Sequence, residues 1–165
     1  MVYGDVNSVS STSFRSDCPI NASLETIGDK WSLIIVRDMV YFGKSSFNEF
    51  LASDEEIARN ILADRLNSLQ AKGLVNKESD PRDRRKDHYR LTVSGLDLIP
   101  VLLALAMWGR TRLPQDEQLE TWYRAIETMG SDLVQIIRIT IEKGGAVFVD
   151  CENGVPSVIR QIGLR

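Results

Sequence analysis

The stretch that decides the fold is residues 57–92, IARNILADRLNSLQAKGLVNKESDPRDRRKDHYRLT. Its first half has apolar residues at the spacing of one helix face, which predicts an amphipathic helix: Ile57, Ile61, Leu62, Leu66 and Leu69. Gly73 marks the end of that helix. Two short strands around the basic loop 81–87 then predict a hairpin. A helix followed by a hairpin with a basic tip is typical of a winged helix-turn-helix.

Short or hydrogen-bonding side chains occupy the other face of the predicted helix, and such side chains meet base edges in DNA complexes. Four cations within residues 82–86 favour contact of the loop with the phosphate backbone or the minor groove. Asp83 and Asp87 favour the alternative, a solvated charged turn. The candidate DNA-binding residues are Arg59, Asn60, Ala63, Asp64, Arg65, Asn67, Lys72, Arg82, Arg84, Arg85 and Lys86. We expect double-stranded operator DNA as the partner, with specificity from the helix and affinity from the loop.

The charge balance complicates this hypothesis. The chain of 165 residues carries a net charge of −3. Residues 1–113 hold 15 basic and 15 acidic side chains, whereas residues 114–165 hold 5 and 8. A neutral N-terminal part argues against strong non-specific DNA affinity. The alternative hypothesis is therefore a winged-helix protein-interaction module with little or no DNA binding.

Composition and patterning predict a mainly α-helical α+β chain in three parts. Residues 1–17 are rich in serine and are expected to form a flexible tail. Residues 18–113 are expected to form the winged-helix domain for DNA binding and dimerisation, with Asp29 and Ser45-Ser46 as helix caps. Residues 114–165 are expected to form an extension with a helix and a β-hairpin.

The predicted helix from about Val93 to Arg112 has apolar residues on two sides, with Thr92 as a plausible cap and Pro100 as a kink. A single domain core covers only one of these sides. A second subunit is the simplest cover for the other, so we expect a homodimer.

The extension is ambiguous in one place. Residues 116–129 predict an amphipathic helix, but residues 137–142 alternate isoleucine and threonine with polar residues in the manner of a strand. The alternative is a helix from Asp132 to Lys143 that ends at Gly144. The alternation favours the strand, and the pair Asn153-Gly154 favours a hairpin near the C-terminus with a last edge strand after Pro156.

The sequence offers no catalytic, cofactor or metal constellation. The single histidine, His88, and two distant cysteines, Cys18 and Cys151, do not have the spacing of a zinc site or of a disulfide framework. We find neither a glycine-rich phosphate loop nor a nucleophile elbow. No apolar run approaches the roughly 20 residues that span a bilayer, and the N-terminus does not have the pattern of a secretory signal. These features predict a cytoplasmic protein that is not an enzyme.

Short motifs in a fixed order resemble the HxlR-type winged helix-turn-helix regulators. They are Cys18-Pro19, then the segments 28–35, 47–50 and 57–66, then 73–75 and 89–95, and the resemblance covers about residues 18–110. The resemblance implies a prokaryotic homodimer whose interface is built from the first helix and the 93–112 helix. It also implies binding to operator DNA, which represses or activates nearby genes. The small-molecule effector is unknown.

Cys18 is a possible redox residue through the same resemblance. Some members of the family sense electrophiles or oxidants through a cysteine at the position that matches Cys18. A place at a helix N-terminus favours negative charge on a nearby group, which suits a reactive thiol. The alternative is that Cys18 has only a structural role, as a small apolar residue near the core.

This sequence also departs from the family. Ser45-Ser46 and Asn67-Ser68 stand where members often have arginine or lysine, which removes phosphate contacts. The extension beyond Leu113 is a further departure, since shorter members end there.

Overall fold

A computed structural model describes residues 14–79, 87–114, 116–150 and 153–164 of the chain. This described part is mainly helical, with one two-stranded antiparallel sheet. The elements are α1 Pro19–Ile27, α2 Lys30–Phe42, α3 Phe47–Leu51, α4 Arg59–Ala71, β1 Val75–Ser79, β2 Asp87–Leu91, α5 Val93–Leu96, α6 Ile99–Arg110, α7 Glu117–Met129, α8 Ser131–Glu142 and α9 Val158–Gln161. We call α1–α6 with the hairpin the winged region, and α7–α9 with their connections the extension.

Side-chain caps start α2 and α3, as the sequence predicts, whereas α4 begins after Ala58 without one. The Asp29 carboxylate accepts from the backbone N–H groups of Trp31 and Ser32 at 3.0 and 2.9 Å and starts α2. Ser46 and Glu49 form a reciprocal capping box at the start of α3. Gly43 takes a φ of 66° after α2, a left-handed conformation that favours glycine. These local signals fix where α2 and α3 begin and where α2 ends.

The core surrounds α2, which packs against α1, α4 and α6. Val36 and Val40 of α2 are fully buried, and so are Leu62 and Leu69 of α4. The apolar stripe predicted for α4 therefore faces the core, with one exception. Ile61 lies at the edge of the outer face with a third of its side chain exposed, and α4 begins at Arg59 rather than at Ile57.

The hairpin follows α4 directly. Val75 of β1 pairs with Leu91 of β2, and the antiparallel ladder continues outward to Ser79 and Asp87. The N–H of Tyr89 donates to the carbonyl of Ser45 at 2.7 Å, which ties β2 to the turn after α2. The hairpin is thus held at its base by the helix-turn-helix itself.

The structure corrects two predictions for the C-terminal third. Residues 137–142 belong to helix α8, so the predicted strand is wrong and the helix that ends at Gly144 is right. Leu133, Ile137 and Thr140 are buried at positions four and three residues apart, which is the period of a helix face. The described part of residues 146–164 has no strand, so the predicted C-terminal hairpin is wrong; α9 follows Pro156 instead.

The extension packs directly on the winged region. The N–H groups of Val147 and Phe148 donate to the carbonyls of Val40 and Tyr41 at 3.0 and 2.9 Å. These carbonyls lie in the last turn of α2, where a helix has no partners of its own. The rings of Tyr41, Trp122 and Phe148 meet edge to face with centroids 5.2 to 6.1 Å apart. The extension therefore completes the end of the central helix.

The predicted 93–112 helix is two helices. A turn at residues 97–98 separates α5 from α6. Pro100 lies in the first turn of α6, where backbone N–H groups have no acceptor within the helix, so the N–H that proline lacks costs no hydrogen bond. Thr92 caps α5, as predicted, by accepting from the N–H of Gly95 at 3.1 Å. By length and composition alone, Val93–Arg110 could cross a bilayer. However, it carries Asp97, which pairs with Arg138 of α8, and its Ile99 is buried in the core, so we assign it to protein packing.

Candidate nucleic-acid interface

The outer face of α4 is polar but carries little positive charge. Asn60, Asp64 and Asn67 are exposed at positions four and three residues apart, opposite the buried leucines. Ala63 is half-buried beside them. The amides present both donors and acceptors, which is the chemistry that reads adenine in a major groove.

Among the predicted cations Arg59, Arg65 and Lys72, only Arg59 forms neither an ion pair nor a side-chain hydrogen bond within the described ranges. It lies at the N-terminus of the helix, with its guanidinium 5.4 Å from the centroid of the Phe47 ring. Helix-turn-helix proteins bring this end of the recognition helix to the bases. Phe47 therefore holds Arg59 in place without neutralising it.

Arg65 and Lys72 are engaged inside the protein. Arg65 pairs with Asp64 and also with Asp29 at 3.4 Å, and its bond to Asp64 raises the pKa of Arg65. Lys72 donates to the carbonyls of Glu25 and Thr26 at 3.2 and 2.6 Å, near the end of α1. Both cations thus fix the position of α4 on its neighbours, a role that the sequence pattern does not distinguish from phosphate contact.

The described base of the hairpin is also charge-balanced. Lys77 pairs with Asp87 at 2.8 Å, and this bond lowers the pKa of Asp87. Arg90 pairs with Glu78 at 3.2 Å. The candidate wing residues lie outside the described residues: Arg82, Arg84, Arg85 and Lys86.

A buried carboxylate supports the helix-turn-helix from behind. Asp38 of α2, which is 1% exposed, accepts from Lys44 at 2.9 Å and from the hydroxyl of Ser53. Arg37 binds both Asp38 and Glu55, and its bond to Glu55 lowers the pKa of that carboxyl. Ser53 and Glu55 belong to the turn that leads to α4, so the network fixes that turn on α2. The sequence patterns did not predict this network, although Arg37 and Asp38, a charged pair inside an otherwise apolar helix, were a signal for it.

The capping box holds the start of α3 in the same region. Partial burial works against the charge of Glu49, but the N–H groups of Ser45 and Ser46 donate to its carboxylate, and the net effect lowers the pKa of Glu49. Ser45 also lies 3.1 Å from Nδ1 of His88 in β2. The two serines thus connect α3 to the hairpin, at positions where the sequence suggested lost phosphate contacts.

Two helices outside the recognition region present apolar faces. Ile20 and Leu24 of α1 are mostly exposed, one turn apart. Val101, Leu105 and Trp108 of α6 are exposed at positions four and three residues apart. Cys18, at the N-cap position of α1, is exposed and is not in a disulfide. No group of three potential metal-ligating side chains occurs in the described ranges.

Comparison with known proteins agrees with this architecture. The pattern of the family described as HxlR-like helix-turn-helix matches residues 26–117, where the match ends at the start of α7. The chain is 34% identical over 97 residues to YybR and 32% identical over 108 residues to YdeP, both named as uncharacterized HTH-type transcriptional regulators of Bacillus subtilis (strain 168). These alignments cover 59% and 66% of this chain and 77% and 84% of the relatives.

A solved structure gives the same result. The redox regulator HypR in its oxidized form is 34% identical and superposes with a TM-score of 0.53, over 60% of this chain and 99% of that one. The superposed part therefore accounts for nearly all of HypR but leaves about two fifths of this chain unmatched.

Proposed function

Because this chain belongs to the HxlR-like helix-turn-helix family and is therefore a transcriptional regulator and not an enzyme, we propose that it acts as a homodimer on a near-palindromic operator. The observation that carries the proposal is the outer face of α4, where Asn60, Asp64 and Asn67 form a continuous polar stripe beside the uncompensated Arg59. In this proposal α4 enters the major groove and the hairpin contacts the flanking backbone. Its place of action is the cytoplasm.

Base recognition in this proposal rests on a few side chains at the N-terminal end of α4. Arg59 suits guanine and Asn60 suits adenine, while Ala63 leaves room for a thymine methyl group. Asp64, Arg65, Asn67 and Lys72 act as flanking or positioning residues. The cations of the wing, Arg82, Arg84, Arg85 and Lys86, supply most of the phosphate contacts, because the described cations nearer the core are largely paired.

Dimerisation in this proposal uses the apolar faces of α1 and α6. Exposed apolar side chains that repeat along one helix face mark an interaction surface. Both helices pack against α2, so a subunit interface there would set the spacing of the two recognition helices. Two-fold symmetry predicts half-sites about one helical turn, roughly 34 Å, apart or a multiple of it.

Redox control through Cys18 is a separate part of the proposal, on which DNA binding and dimerisation do not depend. The exposed thiol at the N-terminus of α1 supports it, together with the likeness to HypR, which is named a redox regulator. The position beside the proposed α1 interface would couple thiol oxidation to dimer geometry.

One binding experiment tests these parts together. DNA affinity is measured by fluorescence anisotropy on the region upstream of the chain's own gene, against a scrambled fragment. We expect Arg59→Ala/Asn60→Ala to lose at least about 30-fold in operator affinity, since two base contacts are removed and each contributes about 1–3 kcal/mol. Gln70→Ala, exposed at the far end of α4, is the matched control. An unchanged preference for the operator in the double variant would refute base reading by this end of α4.

The same assay distinguishes the other parts. Leu105→Asp should convert the dimer to a monomer in sedimentation and weaken operator binding, whereas Ile139→Asp, exposed on α8, should do neither. Oxidant should change the affinity of the wild type but not of Cys18→Ser. The alternative function, a protein-interaction module, is motivated by the paired cations of α4 and the hairpin, and it requires the absence of salt-dependent binding to any genomic DNA.

A further inference from the structure

A cavity of about 550 Å³ lies where the extension meets the base of the hairpin. Its walls are the turn after α2 at residues 43–45, strand β2 at residues 88–91, and the end of α8 with the following turn at residues 141–145. The volume falls within the range of small-molecule sites in proteins. The extension supplies one complete wall, so the shorter relatives that end before it could not form this cavity.

The lining is mainly polar, with charged side chains that we call the rim, and it includes a smaller apolar part. Met39, Leu91, Leu96 and Ile141 contribute the apolar side chains. The charged lining residues are Lys44, Arg90, Glu142 and Lys143. An occupant that matches both parts has an apolar body and one ionic group.

The cations of the rim differ in their availability. The Lys44 ammonium already donates to Asp38 and Ser53, at 2.9 and 2.8 Å. Lys143 is exposed and forms no ion pair in the parts of the chain that the structure describes. Arg90 is held only by an exposed pair with Glu78, and such pairs contribute about 0–1 kcal/mol. Lys143 is therefore available to bind an anion, and Arg90 can join it by exchanging its exposed pair with Glu78, against the single carboxylate of Glu142.

The wall supplied by the extension is tied down by hydrogen bonds and close packing. The amide of Asn153 donates to the carbonyls of Lys143 and Gly144 at 3.0 and 3.2 Å. Gly144 has a φ of 77°, which favours glycine. Gly145 lies so close to Thr140 and Val155 that an added Cβ would be only 2.6 and 2.7 Å from their side chains. We therefore expect little rearrangement of this wall on binding, which lowers the ordering cost.

We propose that this cavity binds a small organic acid with an apolar body, with the acid group at Lys143 and Arg90. A ligand there touches β2 and the extension at once. Its effect on DNA binding rests on the proposed function, because β2 is the returning strand of the wing. The binding itself does not depend on DNA.

The test is an amide-resolved NMR titration of the full chain with naphthoate, an aromatic carboxylate, and with the uncharged naphthamide. We expect saturable shifts at Leu91, Gly144 and Gly145 with naphthoate, and weaker binding of naphthamide. Lys143→Glu should weaken naphthoate binding roughly tenfold, since a like charge at the rim repels the carboxylate. Arg124→Glu, the same change at an exposed site on α7 outside the lining, should leave the affinity unchanged.

Two outcomes would overturn the proposal: naphthoate shifts confined to other surfaces, such as the apolar face of α6, or equal affinity in Lys143→Glu and Arg124→Glu. Lys143 is exposed, so its substitution leaves the core intact, and the NMR spectrum of the variant verifies the fold. Because the titration contains no DNA, its failure leaves the proposed operator binding standing, and a failure of operator binding leaves the ligand site standing.

Discussion

The winged region and the extension secure their helix ends in different ways. In the winged region, Asp29, Ser46 and Thr92 cap α2, α3 and α5 from within three residues, while α1, α4 and α6 have no side-chain cap. In the extension, neither α8 nor α9 has a side-chain cap. Its connecting segment instead bonds to the end of α2 through Val147 and Phe148. The comparison teaches that local caps specify half of the helices of the winged region, whereas the extension is specified by what it packs against.

The largest expected effect concerns this packing. Ile137→Ala should destabilise the protein by about 2–5 kcal/mol, because Ile137 is fully buried and its loss leaves a cavity. Ile139→Ala, two residues further along α8, should cost no more than about 0.5 kcal/mol, because nearly half of Ile139 is exposed. Urea denaturation followed by circular dichroism measures both.

A strand would place the side chains of Ile137 and Ile139 on one face. Equal losses of unfolding free energy in the two variants would therefore support a strand over residues 137–142 and contradict helix α8. A separate, earlier transition for the extension would show that it does not share the core of the winged region.

An intermediate effect is expected at Tyr41, where the two regions meet. Its hydroxyl is buried without a hydrogen-bond partner among the described residues, and burial raises the pKa of Tyr41 to about 12. Unfolded tyrosine ionises near pH 10. The stability that depends on the neutral hydroxyl is therefore complete below about pH 10 and is lost as the pH rises toward about 12.

Tyr41→Phe should remove that alkaline loss. Relative to the wild type, the variant should gain about 1.4 kcal/mol between pH 7 and pH 11, which follows from a pKa difference of about two units. At pH 7 the two proteins should be nearly equally stable, since the substitution deletes an unbonded group. Parallel stability curves of wild type and variant up to pH 11 would show that water reaches the hydroxyl.

The smallest effect tests the local caps. Ser46→Ala should cost about 1 kcal/mol, because it removes the hydroxyl that accepts from the N–H of Glu49 at the start of α3. Ser131→Ala makes the same change in the first turn of α8, where no side-chain cap exists, and should cost nothing measurable. Thermal denaturation of the pair checks the contrast. A larger loss from Ser131→Ala than from Ser46→Ala would reverse the comparison between the two regions.

Much of the winged region could be predicted from its sequence. The stripe on α4, the hairpin after Gly73 and the caps at Asp29, Ser46 and Thr92 are all local patterns, and each is present in the structure. The candidate DNA-binding face was predictable because exposed positions on α4 follow from its buried ones. The hydrogen bond from Lys72 to the carbonyl of Thr26 at the end of α1 could not be predicted, because the two residues are 46 positions apart in the chain.

The sequence by itself determined the helix-turn-helix, its hairpin and its family, because helix periodicity, caps and turn glycines act within a few residues. Only the tertiary structure decided the rest. Isoleucines at alternate positions suit either a strand or a helix, and contact with the winged core selects the helix for α8. The buried Asp38 network and the cavity beneath β2 also required the fold, because distant segments of the chain form them together.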